Sequence, residues 1–199
     1  MDIAISNNIN RYIEKMNGES IRIALIAAAG KGTRMGAEIP KQLMSYKGMT
    51  VIERTASVFA AHEEIDAIFL LVPQDREYDE TFFQIADRLG HLHNKPVRCS
   101  YGGNSRGESI YNGLQAISSY LDENGEANND CASGAGEVVI LIHDAARAEI
   151  TSEVIDRNIA AMSDNEAVCT VVPMIDSIRM TEKSVSEFFN DLSSHNDYL

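Results

Sequence analysis

Three cations, Lys31, Arg34 and Lys41, sit close together in a chain whose formal net charge is −13, and Gly30, Gly32 and Gly36 are threaded between them. The segment Ile26-Ala27-Ala28-Ala29-Gly30-Lys31-Gly32 ends an apolar run. Side chains this small let backbone N–H groups approach an anion without a Cβ in the way. Positive charge on such a loop offsets the charge of a polyphosphate. An ordinary strand-to-helix turn would account for the glycines but not for the cations. Two well-known phosphate loops do not fit. A Walker loop requires Gly-Lys-Ser or Gly-Lys-Thr four residues after its first glycine, whereas Lys31 follows Gly30 directly; the dinucleotide fingerprint requires glycine where Met35 stands.

Three further segments group residues able to meet a ligand. Gly102-Gly103-Asn104-Ser105-Arg106 leads on to Ser109, Asn112 and Gly113, the composition of a loop entering a helix. Ser109 as a helix cap is the plain reading there, and it leaves Arg106 and Asn112 unexplained. Ile142-His143-Asp144-Ala145-Ala146-Arg147 closes another apolar run, at the carboxyl end of an expected strand, where ligands collect in parallel α/β sheets. Alone, Asp144 and Arg147 would be a surface ion pair of little worth; beside a phosphate loop they become candidates for a binding site. Val172-Pro173-Met174-Ile175-Asp176-Ser177-Ile178-Arg179 follows a further apolar run and in isolation merits no functional reading. There is no G-x-S-x-G elbow and no cysteine with an evident histidine partner, so positioning and charge neutralisation are expected rather than covalent catalysis. His91 and His93 are read as solvent-facing loop residues.

The elements that must hold these residues alternate. Residues 21–28, 67–72, 138–143 and 168–172 are rich in Ile, Val and Leu and read as central strands covered on both faces. Residues 51–62, 79–89, 109–121 and 151–162 have helical periodicity, the last opening on Thr151-Ser152-Glu153, a segment suited to capping. Strand, helix, strand, helix in succession predicts an α/β sandwich with a mostly parallel sheet. Residues 3–16 place Ile5, Ile9, Tyr12, Ile13 and Met16 on one side of a short amphipathic helix, and the polar stretch 121–136 reads as a surface loop without a catalytic role. The expected division is an N-terminal helical extension, 1–20, and one domain, 21–199.

Read together, Ala28-Ala29-Gly30-Lys31-Gly32-Thr33-Arg34-Met35-Gly36 with Pro40-Lys41-Gln42 resembles the A-A-G-x-G-x-R-M-G and P-K-Q signature of nucleotidyltransferases. The other three segments resemble G-G-x-x-R-x-x-S-V-x-N-G-L, V-H-D-A-A-R-P and V-P-x-x-D-T-I-K. The four, in this order, are similar to cytidylyltransferases of the 2-C-methyl-D-erythritol 4-phosphate type, which are Rossmann-like nucleotidyltransferase sandwiches. The resemblance implies transfer of CMP from CTP to that polyol phosphate, with release of pyrophosphate, in isoprenoid precursor biosynthesis. It implies that Arg34 and Lys41 stabilise the α-phosphate region; that Ala28, Ala29, Gly30, Lys31 and Gly32 bind the nucleotide, Gly30 and Gly32 through backbone donors; and that Gly103, Asn104 and Ser109 line the base pocket. It implies further that Asp144 binds Mg²⁺, and that Ala145, Arg147 and Ser177 meet the polyol phosphate. Asn104 stands where some members carry Asp, and Ala148 where the family has Pro. The family's projecting dimerisation arm and its later Q-T-P-Q, T-D-D or T-D-E and Lys-bearing segments are not recognisable in residues 182–199, so the domain is read as C-terminally incomplete relative to the family, which is homodimeric.

Composition narrows the partners. With 30 acidic against 17 basic residues, a nucleic-acid polymer or an anionic membrane surface is not an expected partner. No apolar run approaches the roughly 18 residues of a spanning helix, and no signal-peptide pattern is present, so the expected location is the cytoplasm. Cys99, Cys131 and Cys169 form no C-x-x-C pair and read as reduced, mostly buried thiols. The alternatives to methylerythritol phosphate transfer are ribitol 5-phosphate as acceptor, an inactive CTP-binding relic and, from the glycine loop alone, a dinucleotide-dependent oxidoreductase. H-D-A-A-R leans to methylerythritol phosphate, since ribitol enzymes often read H-D-A-V-R or H-D-S-V-R.

Overall fold

β1 (Ile21–Ala27) sets Ile21, Ile23 and Leu25 on one face and Ala24 and Ile26 on the other, all buried. A strand apolar on both faces has to be covered on both. In the computed structural model, which describes residues 20–30, 39–124 and 137–173, β1 lies inside a sheet with helices on either side. A short 3₁₀ turn (Lys41–Leu43) and the hairpin β2 (Ser45–Tyr46) and β3 (Met49–Thr50) follow it, then α1 (Val51–Ala61), β4 (Ala67–Val72) and α2 (Asp79–His93). β5 (Val97–Tyr101), α3 (Arg106–Asn124), β6 (Val138–Asp144) and α4 (Ser152–Met162) complete the described elements. The sheet has the order β5-β4-β1-β6 and is parallel throughout, as the alternating pattern predicts.

Each face has its own core. Ile52, Ala56 and Phe59 of α1, Phe82, Ile85 and Leu89 of α2 and Ile155 of α4 meet Ala24, Ile26, Ile68 and Leu70. On the other face, Ile117 and Tyr120 of α3 meet Ile23, Leu25, Phe69 and Leu71. Removing this much apolar surface from water is what holds the layers together. Thr50 starts α1 through a capping box: its hydroxyl accepts from the Glu53 N–H, and the Glu53 carboxylate accepts from the Thr50 N–H.

Several expectations need correction. The helix expected over 109–121 begins three residues earlier because the Ser105 hydroxyl accepts from the Glu108 N–H (3.1 Å), so Ser105 rather than Ser109 caps it. Thr151 precedes α4 without a side-chain cap bond. His91 and His93 stand in the last turn of α2, His91 exposed and His93 half-buried, because the helix runs on to Asn94, which closes it in the left-handed region at φ 52°. β5 and the β2–β3 hairpin are additional to the expected strands. Residues 3–16 and 125–136 lie outside the described residues.

The chain divides into two units, Met1–Ala167 and Val168–Leu199, and every element above belongs to the first. In the second, the strand expected over 168–172 is not formed.

The thiols differ from one another. Cys169 is exposed, contrary to the expectation of burial, Cys99 is half-buried and Cys131 lies outside the described residues. Burial, reinforced by the Asp79 charge, pushes the Cys99 thiol up to about 12. At pH 8 that leaves on the order of one Cys99 thiol in ten thousand ionised, and the thiolate is the reactive form. Maleimide labelling of the native protein followed by mass mapping should therefore modify Cys169 quickly and Cys99 only after unfolding. Equal rates at the two would contradict this assignment.

Candidate functional site

The order β5-β4-β1-β6 contains a change of direction. From β1 the chain adds β4 and β5 on one side, then returns to lay β6 on the other, so the strand order reverses between β1 and β6, a topological switch point. Ligands of open α/β sheets bind in the crevice at such a point. Ala27 is in register with Asp144, and beyond them the strands remain tied: the Ala145 N–H donates to Ala27 O (3.0 Å) and the Ala28 N–H to Leu71 O (2.9 Å). The buried Thr55 hydroxyl of α1 donates to Ala145 O (2.7 Å) and fixes the turn after β6 from below.

A cleft of about 840 Å³ opens over these strand ends, large enough for a nucleotide. It brings together Ala28, Ala29, Gly30, Lys41, Gly103, Asn104, Ser109, Asp144, Ala145 and Arg147, every candidate residue that the structure describes. Lys31, Gly32, Arg34 and Ser177 lie outside the described residues. A Cβ built on Gly30 would meet nothing within 4 Å, so the loop leaves open space there.

The opposite wall is the entrance to α3. The Ser109 hydroxyl, buried, accepts from the Gly103 N–H (2.9 Å) and donates to Ser105 O (2.8 Å), so it shapes the Gly103 turn. The Asn104 N–H donates to Glu108 (2.8 Å). Gly102 is held on three sides: its N–H donates to Val72 O, and its carbonyl accepts from Gln74 (2.8 Å) and Asn112 (3.0 Å). Asn112, quoted in the motif without a role, thus braces the loop that faces the cleft.

Asp144 is the described carboxylate lining the cleft, and two guanidiniums hold it. Arg106 Nη2 donates to one oxygen (3.0 Å) and Arg147 Nε to the other (2.9 Å). Partial burial acts to raise its pKa; the hydrogen bonds from Arg147 and Arg106, together with their charges, outweigh it and hold the carboxyl below its ordinary value. Asp144 is therefore an anion at neutral pH. Burial pushes the neighbouring His143 imidazole down, which leaves it neutral at pH 7, and its Nε2–H donates to Arg147 O (3.1 Å). Arg106, Gln42, Gln74 and Ser105 also line the cleft, and none had a role assigned from sequence. Arg106 and Gln42 were visible as motif letters; Gln74 had no signal.

Among the described residues no group of three or more His, Cys, Asp or Glu gathers as a ligand set. Mg²⁺ does not require one: it is commonly held by one or two carboxylates with phosphate oxygens and water completing the shell. An ionised Asp144 lining a cleft large enough for a nucleotide suits that ion.

The sequence model of the IspD family, described as 2-C-methyl-D-erythritol 4-phosphate cytidylyltransferase, matches residues 22–190. The chain belongs to the IspD family. Among relatives so named, the Clostridium botulinum protein is 36% identical over 174 residues, 87% of this chain and 66% of its own length. The Corynebacterium glutamicum protein is 36% identical over 162 residues, 79% of this chain and 57% of its own length. The chain thus spans less than two thirds of the length of the curated relatives it matches. A crystal structure of 4-diphosphocytidyl-2C-methyl-D-erythritol synthase covers 82% of this chain and 64% of its own at 27% identity and TM-score 0.56. The synthase of Anaerococcus prevotii shares the fold, with TM-score 0.59 over 82% of this chain and 60% of its own at 24% identity. IspD membership removes the oxidoreductase reading. Among the described residues of this IspD chain, no helix is long and apolar enough to cross a membrane.

Proposed function

We propose that this chain transfers CMP from CTP to 2-C-methyl-D-erythritol 4-phosphate and releases pyrophosphate. The observation that supports this best is convergence: Ala28–Gly30, the Gly103 turn and Asp144–Arg147, far apart in sequence, meet at one switch-point cleft. In the reaction a phosphate oxygen of the acceptor forms a bond to the α-phosphorus of CTP while the bond to pyrophosphate breaks. Two polyanions must be held in line and the charge on a five-coordinate phosphorus offset, which is work for positioning and electrostatics.

In this reading Gly30 and Gly32, with Ala28, Ala29 and Lys31, seat the phosphates, and Arg34 and Lys41 offset charge near the α-phosphate. Gly103, Asn104 and Ser109 form the base pocket, and Ala145, Arg147 and Ser177 receive the polyol phosphate. Asp144 would hold Mg²⁺, which when bound draws charge from the phosphate oxygens. A cytoplasmic location is part of the same proposal, by analogy with the family.

The test is pyrophosphate release from CTP and Mg²⁺ with the 199-residue chain. Methylerythritol phosphate and ribitol 5-phosphate are compared as acceptors, with Lys41→Ala as the control. Faster turnover of methylerythritol phosphate, reduced in the control, is expected. Preference for ribitol 5-phosphate would replace the acceptor, and CTP binding without turnover of either would favour the relic.

A further inference from the structure

Gln42 is almost completely buried (1% exposed) although it lines the cleft, and its side chain reaches back across the glycine loop. Its Nε2 donates to Ala28 O (2.5 Å) and Gly30 O (3.2 Å). Two carbonyls on one nitrogen settle which end of the amide is which, since only the NH₂ group can donate to both. The other end, Oε1, is buried and has no partner among the described residues. An unsatisfied buried acceptor is a cost to the folded state, so a glutamine chosen for stability alone is the wrong residue here.

A trans peptide is planar, and its C=O and N–H point in opposite directions. Holding Ala28 O therefore also fixes the direction of the Ala29 N–H, for which no backbone acceptor is found among the described residues. Gln42 directly follows Lys41, which lines the same cleft. One side chain thus joins the loop backbone to the cation segment.

We propose that Gln42 is a positioning residue: its amide orients the Ala28–Gly30 backbone so that N–H groups of the loop, Ala29 first, meet the phosphates of the nucleotide, in register with Lys41. This rests on the reading of the cleft as a nucleotide site and adds a residue to it. The role requires a donor of this length. Methionine nearly matches glutamine in volume and donates nothing, while glutamate would set a carboxylate against two carbonyls.

The experiment is calorimetric binding of CTP, inorganic tripolyphosphate and cytidine, with Mg²⁺, to wild type, Gln42→Met and Gln42→Glu, beside melting curves. The expected result is an affinity for CTP and tripolyphosphate about tenfold weaker in Gln42→Met and weaker still in Gln42→Glu, with cytidine unchanged. Gln42→Met removes the orphaned Oε1 but leaves Ala28 O and Gly30 O without their donor, so its melting temperature should fall, and binding is compared at a temperature where both proteins are folded. Unchanged tripolyphosphate binding in Gln42→Met, or an equal loss for cytidine, overturns the proposal. Should the variants not fold, the Ala29 amide resonance of ¹⁵N-labelled wild type decides: a shift on adding tripolyphosphate supports it and an unmoved resonance overturns it. If wild type binds CTP but transfers nothing, the catalytic reading fails while these binding results still judge Gln42. If wild type binds neither CTP nor tripolyphosphate, both fall.

Discussion

Asp144→Asn should leave the fold intact and lower kcat/KM for CMP transfer by on the order of 10²–10³, the scale seen when one preorganised electrostatic group is removed from a site of charge development. The fold survives because the pairs being broken are weak: Arg106 and Arg147 are 66% and 74% exposed, and ion pairs so exposed contribute about 1 kcal/mol or less. The melting temperature should therefore move by only a few degrees at most. The binding signature is more specific than the rate. In the described site Asp144 engages both guanidiniums. The asparagine variant frees them to meet phosphate, so metal-free CTP should bind at least as tightly as to wild type, while the gain on adding Mg²⁺ should shrink. Turnover within threefold of wild type, or an undiminished Mg²⁺ effect on CTP binding, would remove Asp144 from the metal role.

What sequence alone reveals about this protein follows from where its information is local. β1 and β4 are legible because strands buried on both faces have to be near-continuous Ile, Leu, Val and Ala. β5 has no such run: it lies at one edge of the described sheet, and Arg98 and Ser100 interrupt its apolar residues. Residues 168–172 look the same as a core strand in sequence, yet they carry no strand in the structure; β-propensity depends on context and does not decide the outcome alone. The start of α3 is obscured by Gly107, a poor helix former, although Ser105 supplies the cap. At the site, Gly30, Gly103 and Asp144 announce themselves through short motifs, whereas the tasks of Gln42 and Arg106 are set by partners 12 to 14 and 38 residues away. Spacing along the chain does not record contacts of that range; the switch point creates them.

Gly102→Ala should be the most damaging glycine-to-alanine change beside the described cleft. A Cβ at Gly102 would stand 2.3 Å from Ala29 Cβ and 2.9 Å from Ser109 Oγ, so the added methyl presses on the phosphate loop and on the serine that shapes the Gly103 turn. Neither neighbour can swing aside: Ala29 Cβ is fixed to its backbone, and Ser109 Oγ is bonded to Gly103 and Ser105. Gly102 cannot retreat either, because its N–H is tied to Val72 and its carbonyl to Gln74 and Asn112. Overpacking of this kind costs about 1–3 kcal/mol, and in a chain of this size each kcal/mol lowers Tm by roughly 2–4 °C. The functional loss should exceed the stability loss, since the strain falls on the two walls of the proposed nucleotide site. CTP binding should weaken by at least tenfold even where the variant remains folded. Gly107→Ala is the control: its Cβ would meet nothing within 4 Å, and at a position inside α3 alanine is the better helix former. If Gly107→Ala weakened CTP binding as much as Gly102→Ala, the contact between Gly102 and Ala29 would not be what keeps the cleft open; if only Gly102→Ala did, the two loops act as one site because of that contact.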